Sequence, residues 1–362
     1  VTKPSRHLGS QAKRVLVLTA LWFLVIQLGL AVAIERWLPD LRDPEYGSRA
    51  LRLERRIART SHDPLTVVML GSSRTTLGFK AGQIEAPLQQ ALGRPVISYN
   101  LGFTGAGPLM QLIELHRLLA LRVRPNLLLV EVLAPLMAGQ MGKYELYRLP
   151  LNRAWHNELA ILERYGRSRE EMDSAWWHDW PIPWYSHRYA IVSRFFPACL
   201  PYQRRMDWAF VADESGWAPA PINRDSPQRH RQALENARNE YAPYLNGFQL
   251  GGPGPQALRE LLDLCRQEQI RVALVLMPEG SEFRALYSPA AWSEIATFLG
   301  EISHEYAIPV VNAREWIVDE DFSDSHHLLL RGASAFTERL GRETVLPLLE
   351  ASAKPILVAG RN

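Results

Sequence analysis

The chain has 362 residues, 47% of them hydrophobic, a formal charge of +3 and two cysteines. That length and apolar content exclude a disulfide-stapled miniprotein and a disordered chain, and leave room for one large domain or two small ones. Four basic residues (Lys3, Arg6, Lys13 and Arg14) fall in the first fourteen positions, which hold no acid. The rest is close to neutral, so the excess describes a tail and not a basic face, and no nucleic-acid partner is expected.

Val15 to Ile34 is a run without a charge, with Gln27 its only strongly polar member. At about 1.5 Å per residue it matches the roughly 30 Å hydrocarbon core of a bilayer. Basic residues precede it and Glu35, Arg36 and Asp40 follow, which predicts residues 1–14 as a cytoplasmic tail, 15–34 as a transmembrane anchor and the rest outside. A cleaved signal peptide is the rival; the run is longer than a typical signal core. Residues 35–63 read as a juxtamembrane helix and linker, with a charged amphipathic stretch at 48–60.

An alternation of short apolar strands and helices follows. Strands are predicted at 65–70, 96–100, 126–132, 271–277 and 308–313, and helices at 82–92, 107–122, 255–269, 290–304 and 332–352. Strands of that length, bounded by turn residues and separated by helices, predict a three-layer α/β/α fold around a parallel sheet, formed by 64–135 and 251–352. Residues 136–250 break the rhythm and read as an insertion or cap. Seven of the eleven tryptophans lie there (Trp155, Trp176, Trp177, Trp180, Trp184, Trp208 and Trp217), and Gly251 to Pro255 closes it. Its aromatic run at 176–185 reads first as a packed core, then as a glycan contact, then as a lipid contact. Cys265 reads as a small buried group; pairing with Cys199 is left open, and there is no zinc-ligand spacing.

In a parallel α/β sheet ligands bind beyond the carboxyl ends of the strands. There the sequence places Gly71-Ser72-Ser73-Arg74, Asn100-Leu101-Gly102, Glu131 and Asp324-Ser325-His326-His327. A serine hydroxyl reacts once an imidazole takes its proton and a carboxylate steadies that imidazole, and these residues supply the three groups. The plain alternative for Gly-Ser-Ser is a helix-capping turn. Arg74, Glu131 and His326 are candidate substrate-binding residues; for Arg74 the preferred reading is an ion pair with a nearby carboxylate at the sheet edge, for Glu131 a paired structural acid is the alternative, and His326 is the weaker general-base candidate beside its neighbour.

This order of motifs resembles the SGNH (GDSL-type) hydrolase superfamily over about residues 64–135 and 255–350. The resemblance implies Ser73 as nucleophile, His327 as general base, Asp324 as its orienting acid, and an oxyanion hole drawn from Ser73, Gly102 and Asn100. Ser72 stands where the family has an acid, and the family's Gly-x-Asn-Asp block is replaced by Glu131-Val132-Leu133-Ala134-Pro135. With one leading anchor, the layout looks closest to the membrane-anchored proteins of alginate acetylation and teichoic acid D-alanylation. The expected activity is therefore cleavage or transfer of an acyl ester, acetyl first, on an envelope polysaccharide or acyl-carrier substrate. It would act at the bacterial inner membrane with the main domain periplasmic or extracellular, and with a membrane acyltransferase as candidate partner. No cofactor or metal is implied. The competing expectation is a non-catalytic partner of the same fold in an envelope assembly; a third is a lipid esterase.

Overall fold

The computed structural model describes residues 6–60, 63–179, 181–219 and 226–353. Residues 1–5 of the expected cytoplasmic tail, Trp180 and the side chain of Trp208 lie outside the described residues. Within them the chain divides into two compact units, one of residues up to 48 with 150–210, the other of 49–149 with 211 onward.

The first unit holds the Arg6–Arg36 helix, of which Gln11–Arg36 is long and apolar enough to cross a membrane. The Arg42 guanidinium pairs with Glu35 and donates to the Ala154 carbonyl, and Arg153 stands 3.8 Å from Glu45.

The second unit is a five-stranded parallel sheet in the order β2-β1-β3-β4-β5. The strands are β1 (Leu65–Gly71), β2 (Val96–Gly102), β3 (Leu127–Glu131), β4 (Arg271–Leu276) and β5 (Val310–Asn312). All five fall where the short apolar runs predict them, because both faces of the sheet are covered and an alternating polar face is not needed. Residues Leu65, Val67, Met69, Val96, Leu127, Leu129, Ala273 and Val275 point to one face. That face carries the Glu85–Leu92, Leu330–Leu340 and Leu346–Ala353 helices, through Leu88, Phe336 and Leu349. The Pro108–Ala120 and Pro253–Gln267 helices pack on each other and on β1 and β4, and they cover Val68, Leu70, Leu128, Val130 and Leu274 on the other face. This is the three-layer α/β/α arrangement that right-handed crossovers impose on this strand order.

Two details differ from the sequence expectation. The closing helix is interrupted by a π-turn at Gly341–Val345, where Gly341 sits against Ile84 with no room for a Cβ. The expected insertion of 136–250 also has different bounds, because 136–149 and 211–250 belong to the sheet unit. Glu145 docks on the start of the Pro108–Ala120 helix, Gly216 lies against the Asn100 carbonyl, and Tyr241 packs on Phe283. Likewise residues 49–59, expected in the juxtamembrane helix and linker, belong to this unit. The Tyr99 hydroxyl donates to the Arg49 carbonyl at 2.8 Å, and Arg56 pairs with Glu85 at 2.8 Å.

Candidate active site

The turn after β1 sends two neighbouring serines in different directions. Gly71 is required there: a Cβ would collide with Thr75 Oγ1 and with the Glu131 carboxylate. That close approach lets Glu131 accept the Ser72 N–H at 2.7 Å, the Ser72 hydroxyl at 2.9 Å and the Thr75 hydroxyl at 2.6 Å. Ser72 Oγ also accepts the Arg74 N–H at 3.1 Å and caps the short helix Ser73–Gly78. Ser73 is the first residue of that helix, and among the described residues its N–H has no acceptor.

Ser73 Oγ lies 2.7 Å from His327 Nε2, and His327 Nδ1 lies 2.7 Å from Asp324 Oδ2. Asp324 Oδ1 accepts the backbone N–H groups of His327 at 2.8 Å and His326 at 3.2 Å. The turn closes on itself through Ser325, whose φ of 71° is in the left-handed region. With the Nδ1 proton held by Asp324, Nε2 is left to accept the serine proton. Burial opposes ionisation of Asp324, but attraction to His327 and its ring and backbone hydrogen bonds outweigh it and hold the carboxyl well below its usual range. Ser73, Asp324 and His327 are all half-buried, so this array is both shielded and reachable.

The remaining sequence-predicted residues have other work. The Asn100 amide donates to the carbonyls of Thr75 at 2.7 Å, Thr76 at 3.3 Å and Phe79 at 2.7 Å, and its Oδ1 accepts the Gly102 N–H at 2.9 Å. Gly102 itself packs against the Thr76 backbone, where a Cβ would collide. Asn100 and Gly102 therefore tie the end of β2 to the Ser73–Gly78 helix and are not the oxyanion donors that the motif order implied. Their hydrogen-bonding groups are already paired.

Arg74, Glu131 and His326 are likewise not substrate ligands, because all three are buried and engaged. Arg74, 2% exposed, donates to the Met277 and Pro278 carbonyls at 3.0 and 2.9 Å and lies 3.5 Å from Glu279 and 3.9 Å from Glu131. Glu279 is shared with Arg314 and accepts the Tyr287 hydroxyl at 3.0 Å. Two carboxylates and two guanidiniums thus alternate in one neutral chain across the ends of β1, β3, β4 and β5. The His326 ring is enclosed by Phe283, Tyr241 and His327. Burial, then repulsion from His327, pushes its pKa down to about 3, so it is neutral.

Sequence reasoning missed Thr75, Tyr241 and Phe283. Glu279 carried a signal, being an acid at the carboxyl end of a strand; Tyr241 carried none, because the Pro227–Asn246 helix read as part of the insertion. Asp324, His326 and His327 also place one ligand atom each within 4.8 Å of one another. Both ring nitrogens of His327 are, however, taken up by Ser73 and Asp324.

No family model and no curated protein matches the chain. Twelve solved chains resemble it, among them the following two at low identity. One, from Bacteroides fragilis, is assigned by inference as an acylhydrolase; it is 10% identical, covers 83% of this chain and 98% of that one, and has a TM-score of 0.37. The other, from Desulfitobacterium hafniense, is assigned by inference to the lipolytic G-D-S-L family; it is 11% identical, covers 77% and 98%, and has a TM-score of 0.34. Neither likeness bears on which residues of this chain react.

Proposed function

We propose that this chain is a membrane-anchored serine esterase or O-acyltransferase of the SGNH type. The observation that carries the reading is the unbroken relay from Ser73 Oγ through the His327 imidazole to Asp324. Ser73 attacks the ester carbonyl as His327 Nε2 takes its proton, and the Asp324 carboxylate steadies the imidazolium. The Ser73 N–H supports the developing oxyanion. His327 then returns the proton to the departing alcohol, leaving an acyl group on Ser73. A second hydroxyl, from water or from a sugar, is deprotonated by His327 and releases the acyl group.

The substrate we assign is an acyl ester, acetyl first, of an envelope polysaccharide. The acting unit lies on the periplasmic side of the bacterial inner membrane, with the Arg6–Arg36 helix as anchor and a membrane acyltransferase as acyl source in the transfer case. One observation favours the alternative of a non-catalytic partner: two of the three oxyanion donors implied by the motifs are paired internally. A fluorophosphonate probe separates the readings. The full chain in detergent labels at neutral pH and Ser73→Ala does not; equal labelling of both, or none of either, removes the enzyme reading.

A further inference from the structure

The anchor helix has two surfaces. From Val15 to Ile26 every residue is exposed. Beyond that, Gln27, Ala31 and Ile34, spaced four and three apart on one helix face, are buried within the first unit. The short helix Pro183–Ser186 packs there, and Pro183, His187 and Trp176 share a cleft with Ala31 and Ile34.

The uncharged part of this exposed stretch, Val15 to Ile26, is 12 residues and spans only about 18 Å, short of the roughly 30 Å hydrocarbon core. Without its charged end, the helix makes up the difference by including Gln27 to Ile34, and Pro183 shares a cleft with Ala31 and Ile34 in that length. What covers the helix at that depth must itself suit lipid. The covering segment meets that condition: Ile182 is 47% exposed, Trp184 51% and Tyr185 54%. A packed core, the first expectation for this aromatic run, would have buried them. Tryptophan and tyrosine combine an apolar body with a polar tip and concentrate at membrane interfaces. Arg188 stacks over the Tyr185 and Tyr189 rings at 3.9 and 4.4 Å, which sets a cation beside the aromatic patch, the pairing of charge and apolar stem that suits a membrane interface.

We propose that residues 182–185 form an aromatic wedge that enters the outer-leaflet interface of the bilayer spanned by the Arg6–Arg36 helix. The first unit is then held at two points, and its rotation about the anchor is fixed. The inference rests on the reading of that helix as membrane-spanning, and its test keeps the two apart. The full chain, with Cys199→Ser, carries an environment-sensitive fluorophore at Leu21→Cys, Trp184→Cys or Tyr185→Cys. Each is reconstituted in vesicles of phosphatidylethanolamine and phosphatidylglycerol. A nitroxide deep in the acyl chains quenches most emission from position 21. A shallow nitroxide quenches most emission from 184 and 185, and aqueous iodide reaches neither. Quenching at 21 with iodide access at both 184 and 185 overturns the wedge and leaves the anchor. Shielding of 184 and 185 from iodide without nitroxide quenching also overturns it, since protein or glycan then covers the patch. No lipid quenching at any position overturns both readings.

Discussion

Ser72 and Ser73 are neighbours in one turn, and each serves a different carboxylate. Ser72 is buried against Glu131, within a neutral chain of Glu131, Arg74, Glu279 and Arg314. Ser73 is half-buried against His327, whose partner Asp324 is equally reachable. The hydroxyl chemistry is the same in both; the difference lies in what stands between serine and acid, and in access. A serine bonded directly to a buried carboxylate has no group to take its proton and carry it away. A serine bonded to an imidazole has one. The inner array fixes the ends of four strands so that the outer one can keep a 2.7 Å contact between residues 254 positions apart.

The comparison breaks or sharpens under substitution. The largest effect is expected from Asp324→Asn, which removes the charge that steadies the imidazolium and disturbs the tautomer; kcat on a model ester should fall by about 10⁴-fold with folding intact. An unchanged kcat would place the reaction outside the relay. Next, Arg74→Met leaves two buried carboxylates without their shared cation and should cost about 3–5 kcal/mol in denaturant unfolding. Loss of activity with full stability would instead put Arg74 in contact with substrate. Smaller still, Ser72→Ala removes one hydrogen bond to Glu131 and the helix cap, for about 1–3 kcal/mol of stability, while kcat of the folded protein stays near wild type. If Ser72→Ala abolished turnover and Ser73→Ala did not, the roles of the two serines would be reversed.

How much of this was legible in the sequence follows from what spacing encodes. The five strands were readable because short apolar runs ending in turn residues have few other uses. The approach of Ser73 to Asp324 and His327 was readable because parallel strands deliver their following loops to one edge. The direction of each side chain at that edge was not. Strand alternation puts Asn100 on the same face as Val96, beneath the Ser73–Gly78 helix, where it caps carbonyls. Motif order says nothing about that face. Nor does it show that Glu131 reaches across to Ser72, since the pairing depends on β1 and β3 lying side by side. The unit boundaries were hidden for a similar reason: residues 136–149 and 211–250 lack the strand rhythm yet belong to the sheet unit.

A third carboxylate extends the contrast between buried and reachable acids, with the smallest expected effect. Glu145 is buried at the start of the Pro108–Ala120 helix, where it accepts the Leu109 N–H at 3.0 Å. Burial raises its pKa to about 7 despite the hydrogen bonds from Leu109 and Gly107, the opposite direction to Asp324. The signs of the two linkages are therefore opposite. Asp324, lowered in the fold, contributes stability above the ordinary carboxylate range that is lost on acidification. Glu145, raised in the fold, contributes stability that is complete below the ordinary range and is lost as pH rises towards about 7. Glu145→Gln keeps an acceptor for Leu109 and removes the titration. Its unfolding free energy, measured in denaturant from pH 4.5 to 8, should therefore fall less steeply than wild type, by about 1 kcal/mol per pH unit at most, with the two curves running parallel above the folded pKa. Curves parallel throughout would mean that Glu145 is already ionised in the fold, and that burial alone does not separate Glu145 from the acid paired with His327.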